Sequence, residues 1–388
     1  MFRKKNILLI SPFFYPEPIS TGKFNTELVI ALAELGHKVT VLCFHPFYPD
    51  WKTEKSNAFL KNVSIIRGGN HIKYTKKQFL RRIILEVSFA FFILRKIKKH
   101  QKGKDIVLPV FPPSFAFYAI LFFLNKKIKK VGMVHDLQEI YSVNKKGIFN
   151  KLIRFLIHKI EKKCYHKCDT LIFLSNEMKD EAKRLYDLQE EKLKVQYPFI
   201  NLTDKVSNTL GHVFDEEKIN IVYSGALGEK QNPIELYRFF NYAATKIENV
   251  QFYFFSQGVF YEELKRNNAN KLIKFYNLVE KDQIEELYQR SDIQLIPQAQ
   301  NTSKGSLPSK LPNLLISGCK VLVITDKNSE LEHLFKENNL NLVVTSWSED
   351  KLLNSLKILI ASNNNTTHQQ KVAKKLFTIE DMIGKVLS

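Results

Sequence analysis

Two consecutive α/β units, each a doubly wound parallel sheet, are the architecture this sequence predicts, and three observations lead there. The 388 residues suffice for two domains with full cores. Short apolar runs alternate with segments of helical period, the pattern of parallel strands joined by helices. That alternation stops in a polar loop at 197–217, which carries Pro198 and Gly211, and then starts again.

In the first half, strands are expected at 7–11, 38–43, 64–67, 106–109, 130–134 and 169–174. Helices fall between them at 23–35, 78–99, 114–124, 149–168 and 176–186. The basic start, Arg3-Lys4-Lys5, precedes only four apolar residues and no small-residue cleavage site, so a buried first strand fits better than a signal peptide. Gly36-His37 is a helix stop before the second strand. Residues 106–124 are the strongest membrane-span candidate, but Pro109, Pro112 and Pro113 break a single helix there. The run at 83–94 is too short and contains Glu86. The expectation is a cytoplasmic protein, peripheral on the inner face of the cell membrane.

In the second half, strands are expected at 219–224, 250–255, 272–277, 292–296, 321–325 and 340–345. Helices are expected at 233–246, 283–291, 309–317, 329–337 and 347–361. A polar linker at 363–367 precedes a last helical segment at 369–387. Two such units are expected to face a central cleft, with ligands beyond the carboxyl ends of the strands.

Composition narrows the class further. Apolar residues at 44% and charged residues at 25% exclude disordered, collagen-like and coiled-coil chains. The four cysteines, Cys43, Cys164, Cys168 and Cys319, form no CxxC pair, which argues against a disulfide scaffold or a zinc ribbon. Cys164 and Cys168 share a helix face, but His158 and His166 stand at no common zinc spacing, so no metal is expected. The net charge of +20 is one-sided: residues 1–199 hold 37 of the 59 basic and 17 of the 39 acidic side chains. Such asymmetry points the first half toward an anionic membrane or a nucleic acid.

Four loops could carry chemistry. The loop 13–23 (FFYPEPISTGK) leads from the first strand into a helix, where amides can face an anion; Gly22 allows close approach and Lys23 adds charge. His135 ends the strand at 130–134 and points toward a ligand crevice. The turn 224–231 (SGALGEKQ) opens the second half with phosphate-binding grammar: Gly225 and Gly228 bring backbone close and Lys230 supplies a point charge. The segment 305–311 (GSLPSKL) places Leu307, Ser309 and Lys310 at a helix start. Each loop also reads as a plain surface turn or a capped helix.

Residues 67–104 contain twelve basic side chains and one acid, Glu86. Arg81 and Arg82, then Phe91 and Phe92, then Lys96, Lys98 and Lys99 follow one another there. Residues 114–130 repeat the theme and end in Lys126 and Lys127. Apolar aromatic faces with basic ends compose interfacial membrane helices, each basic side chain adding roughly 1 kcal/mol near an anionic surface. Nucleic acid is not the expected partner, because the aromatics run together with Leu and Ile rather than standing singly in a basic groove. Core helices with solvated ends remain the bland alternative.

The ordered set ILLISPFFYPEPISTGKFNTELVIALAELGHKVTVL (7–42), FHPFYPDW (44–51), VHDLQE (134–139), YSGALGEKQNP (223–233), LYQRSDIQLIPQ (287–298), SLPSKLPNLLISG (306–318) and ITDKNSELEHL (324–334) resembles glycosyltransferase family 4. The likeness is to its colanic acid and O-antigen biosynthesis subgroup. The resemblance implies the GT-B fold: an acceptor- and membrane-facing domain at 1–199, a nucleotide-sugar domain at 200–367, and a helix at 368–388 crossing back. It implies retaining transfer from a UDP- or GDP-sugar to a polyprenyl-diphosphate-linked saccharide, without a metal or other cofactor. Gly22, Lys23 and His135 are implied near the reaction centre and Lys230 on the donor diphosphate. The arginine many members carry after the glycine is Ala226 here, and Lys310 is expected to replace its charge. The family's paired glutamates would fall at Gly305 and Asn313, neither of them acidic, and no role transfers firmly to Glu330. A catalytically degenerate partner subunit, or a basic nucleic-acid- or membrane-binding protein, is the rival reading.

Overall fold

The computed structural model describes residues 3–17, 19–138, 148–202, 207–303, 307–340, 342–363 and 366–388. The chain divides into two compact units, 1–197 with 379–388, and 198–378. Residues 368–378, expected in the crossing helix, belong to the second unit instead.

The first unit runs β1 (Asn6–Ile10), α1 (Ser20–Glu34), β2 (Lys38–Phe44), β3 (Val63–Gly68), α2 (Gln78–His100), β4 (Ile106–Phe111), α3 (Ser114–Ile120), β5 (Lys129–Val134), α4 (Ile148–His166), β6 (Thr170–Phe173), α5 (Asn176–Tyr186) and β7 (Leu193–Val195). Its seven strands are parallel in the order β3-β2-β1-β4-β5-β6-β7. The order reverses between β1 and β4, which pair from Ile7–Ile106 to Ile10–Pro109. β4 is wholly buried, as an apolar run covered on both faces must be.

The second unit runs β8 (Ile219–Ser224), α6 (Pro233–Ala244), β9 (Val250–Ser256), α7 (Val259–Asn267), β10 (Ile273–Asn277), α8 (Ile284–Gln289), β11 (Ile293–Pro297), α9 (Leu311–Ser317), β12 (Lys320–Ile324), α10 (Glu330–Glu337), β13 (Val343–Val344), α11 (Glu349–Ala361) and α12 (Thr366–Leu376). Six parallel strands lie in the order β10-β9-β8-β11-β12-β13, reversing between β8 and β11. A final helix, α13 (Ile379–Leu387), groups with the first unit. It buries Met382, Ile383 and Val386 and packs on α1. Lys385 Nζ donates to Gln196 Oε1 at 3.0 Å, and Lys194 Nζ to Ser388 Oγ at 2.6 Å.

All twelve expected strands are present, with ends shifted by a few residues. β7 and α7 are additional. The last helical segment is two helices, α12 and α13.

Candidate active site

In the second sheet, β8 and β11 pair only at Ile221–Ile293 and Val222–Gln294. Beyond those pairs the strand ends need another partner for their carbonyls, and Lys310 provides it. Its Nζ donates to Ser224 O at 2.9 Å and Leu295 O at 2.7 Å, and lies 4.6 Å from the centre of the Tyr223 ring. The residue is half-buried, but its tip is enclosed, and burial pulls the amine down to about 7. Lys310 therefore does not stand in for the missing phosphate-binding arginine: its protons are committed to the switch point of the sheet. α9 also begins at Leu311, so Ser309 precedes the helix, exposed, while Leu307 is buried beside it.

The turn after β8 is built around Gly225 at φ +128°, a conformation open to glycine. Its N–H donates to Phe255 O at 3.0 Å, that of Leu227 to Gln257 O at 3.2 Å, and that of Gly228 to Gln231 Oε1 at 3.0 Å. These three amides are spent inside the fold, while the space beside Gly225 and Gly228 is open, the nearest atoms to an added Cβ being Tyr223 OH at 3.8 Å and Gln231 Oε1 at 3.5 Å. What the turn presents is the exposed side chain of Lys230, on a one-turn 3₁₀ helix whose Lys230 carbonyl accepts from Ala299 N at 2.8 Å. Asn313 Oδ1 accepts from Asn201 N at 2.7 Å and so fastens the start of this unit. Glu330 is a buried first residue of α10, whose cap is Ser329. Gly305 lies outside the described residues.

In the first unit, α1 begins at Ser20, so Gly22 and Lys23 sit in its first turns rather than in the preceding loop. Gly22 is buried, and a Cβ there would meet Glu17 O at 3.2 Å; Lys23 is exposed. His135 follows β5 and donates its N–H to Phe111 O at 2.9 Å. Its ring stands edge-on to Phe24 with centroids 4.8 Å apart, and Nε2 is buried without a hydrogen-bond partner. Burial lowers this imidazole to about 4, so it is neutral near pH 7 and can exchange one hydrogen bond with a ligand.

Nothing in the spacing of residues marks Glu17, a single acid between two prolines. Its Oε1 accepts from the N–H groups of Phe47 at 2.9 Å and Tyr48 at 2.7 Å, tying the loops after β1 and β2 together. Its Oε2 is unpaired, and burial pushes the carboxyl up to about 7. Asn25 Oδ1, Tyr74 OH and Arg81 Nε are likewise buried and unpaired. With His135 these groups lie in loops and helix starts that follow β1, β3 and β5, at the carboxyl end of the first sheet.

Outside the core, α2, α3 with the turn that follows it, and α4 carry ten of the 17 large exposed apolar side chains among the described residues. Leu80, Ile83, Val87 and Phe91 form a helical stripe on α2. Phe115, Phe122 and Phe123 follow on and after α3, and Leu152, Phe155 and Leu156 on α4. α2 packs on α3, and α3 on α4. Glu86 points inward, accepting from Phe115 N at 3.1 Å and Gln138 Nε2 at 2.6 Å. Cations lie over the aromatics: Arg95 over Phe91 at 4.0 Å, Lys98 over Phe123 at 5.5 Å, Lys159 over Phe155 at 4.4 Å and Lys163 over Phe122 at 4.9 Å. Phe92 departs from the expected outward face and packs inward, 5.7 Å from Phe44. Lys96 is half-buried, while Arg82, Lys99, Lys126 and Lys127 are exposed.

Residues 21–204 match the model of Glycosyltransferase Family 4. The chain is a glycosyltransferase whose residues 21–204 carry the family 4 match. This glycosyltransferase is 23% identical, over 98% of both chains, to the putative colanic acid biosynthesis glycosyl transferase WcaI of Escherichia coli strain K12. Its architecture is the GT-B fold. Sucrose-phosphate synthase from Thermosynechococcus elongatus superposes with a TM-score of 0.70 at 14% identity, over 98% of each chain. WaaG, a glycosyltransferase involved in lipopolysaccharide biosynthesis, gives 0.66 at 13% identity over 98% and 99%. Anabaena HepE, solved with UDP and glucose, gives 0.67 at 11% identity over 99% of each.

Proposed function

We propose that this transferase moves a sugar, with retention of configuration, from a UDP- or GDP-sugar to a polyprenyl-diphosphate-linked saccharide during surface-polysaccharide synthesis. The observation that carries the reading is the Gly225–Lys230 turn at the switch point of the second sheet, the position where open α/β sheets bind ligands. The UDP complex of HepE and the name of WcaI support the substrate class.

Charge develops on the leaving diphosphate, and the exposed Lys230 ammonium stabilises it. No metal enters this scheme. His135, neutral and with Nε2 unspent, exchanges a hydrogen bond with a hydroxyl of the transferred sugar or acceptor. The departing phosphate takes the acceptor proton. The exposed aromatic and basic face of α2, α3 and α4 holds the enzyme on an anionic membrane where a lipid-linked acceptor resides. None of the described helices is long and apolar enough to cross a membrane.

Proton NMR of the first product formed from an axially linked donor tests the reaction. The new anomeric signal is expected with the small coupling of the axial linkage. A large coupling rejects retention, and no turnover of any nucleotide-sugar rejects the enzyme reading.

A further inference from the structure

Next to the carboxyl end of the first sheet, the loops after β2 and β3 are joined by an isolated antiparallel bridge between Lys52 and Lys73. Beside that bridge Trp51 stands edge-on to Tyr74 at 5.3 Å, and Phe47 packs on both, at 5.3 Å from Trp51 and 4.9 Å from Tyr74. Arg81, in the first turn of α2, lays its guanidinium 4.0 Å from the centre of the Trp51 ring. That contact holds the planar group in place without using its hydrogen-bonding edge.

Basic side chains outnumber acids here, where Asp50 and Glu54, both exposed, are the acids of the loop that carries Trp51 and Lys52. Among the described residues, no ion pair or hydrogen bond engages the side-chain nitrogens of Lys52, Lys73, Lys76, Lys77, Arg81 or Arg82; the Lys77 backbone N–H donates to Thr75 Oγ1 at 3.4 Å. Arg81 Nε and Tyr74 OH are both buried without a partner. Glu17, the acid that acts on Tyr74, has its carboxyl pushed up to about 7 by burial, so near pH 7 it offsets only part of a unit of the charge. A rim of like charges with unspent donors pays a repulsion that a multivalent anion relieves.

We propose that this rim, Lys52, Lys73, Arg81 and Arg82 around Trp51 and Tyr74, is a binding site for a diphosphate, that of the lipid-linked acceptor. The inference rests on the acceptor class proposed above. Arg81 binds two phosphate oxygens through its fork and the lysines act as point charges. Trp51 and Tyr74 offer ring faces to the attached saccharide. The stripe Leu80, Ile83, Val87 and Phe91 continues from the same end of α2, so the apolar part of such an acceptor meets an apolar surface next to its diphosphate.

The test uses geranyl diphosphate, a soluble prenyl diphosphate, with geraniol as control and vesicles of phosphatidylglycerol and phosphatidylcholine in parallel. The wild type is expected to bind geranyl diphosphate saturably and geraniol not at all. Lys73→Ala with Arg81→Ala should lose at least about tenfold in affinity, and Arg81→Lys several-fold through loss of the bidentate fork. Both variants should keep the wild-type melting temperature and nucleotide-sugar thermal shift, and Lys73→Ala with Arg81→Ala should weaken vesicle binding no more than the loss of two basic side chains elsewhere on the face, such as Lys126→Ala with Lys127→Ala. If Arg81→Ala does not fold, Lys52→Ala with Lys73→Ala carries the same expectation. Absence of saturable binding, or equal binding by the variants, overturns the site. Loss of vesicle binding with geranyl diphosphate binding intact also overturns it, and assigns the rim to bilayer headgroups. Geranyl diphosphate binding without any nucleotide-sugar shift leaves the site standing and removes the donor reading.

Discussion

Lys310→Ala should destabilise the second unit by about 2–4 kcal/mol, the range for stranding buried carbonyls and opening a cavity. The reason is geometric. β8 and β11 stop pairing after Val222 and Gln294, and Lys310 Nζ is what the carbonyls of Ser224 and Leu295 then meet. Ala226→Arg added to this variant should restore nothing, because the lost charge was never offered to a phosphate. Lys310→Met keeps the aliphatic stem and isolates the amine. Its expected signature is in pH. The free amine titrates near 10.5, and the folded one near 7. Between those values the unfolded chain binds more protons than the native one, so wild-type stability should rise with pH through this window. Denaturant midpoints of Lys310→Met should lack that slope. A variant that melts like the wild type and loses only turnover would return Lys310 to the donor.

Membrane attachment should depend more on the aromatic face than on the lysines beside it. Phe91, Phe122 and Phe155 stand on or just after three different helices and are 55%, 73% and 52% exposed. Burying a phenylalanine side chain contributes about 1.5–3 kcal/mol, against roughly 1 kcal/mol for each basic residue near an anionic surface. Replacing the three by Glu should lower affinity for phosphatidylglycerol vesicles at least about a hundredfold. Reversing Lys96, Lys98 and Lys99 to Glu should cost less, and its effect should fade in high salt. The aromatic variant should melt normally, since these rings lie outside the core. Vesicle flotation that tracks the lysine reversals and ignores the aromatics would refute an inserted face and leave a purely electrostatic one.

The contrast between what the sequence disclosed and what it concealed has physical causes. Buried strands such as β4 and β8 are apolar runs between turn residues, and that pattern survives without coordinates. β7 is three residues long and has no pattern to show. α7 is nine residues long and buries only Tyr261, so no apolar stripe of several residues announces it. The second sheet's turn was legible through Gly225 and Lys230, but not the internal commitment of its amides. Lys310 illustrates the general limit: a lysine near a helix start reads as a phosphate ligand until the place where two strands part is known. α4 was legible as a helix, yet Leu152, Phe155 and Leu156 are spaced as core residues would be, and only packing shows them outside. Phe92 is the converse, a neighbour of exposed Phe91 that turns inward to Phe44. Glu17 and Arg81 matter through partners 30 residues away along the chain, at Phe47 and Trp51, and single-sequence spacing is blind to such pairs.

The measurement that bears most directly on the transferase reading is calorimetric titration of UDP- and GDP-sugars into the wild type and Lys230→Ala. One nucleotide-sugar should bind saturably to the wild type. Loss of a charge-assisted contact at the diphosphate should weaken Lys230→Ala by about 1.5–3 kcal/mol, roughly ten- to a hundredfold. Binding of the donor with unchanged affinity to Lys230→Ala, or no binding of any nucleotide-sugar to the folded wild type, would contradict the account.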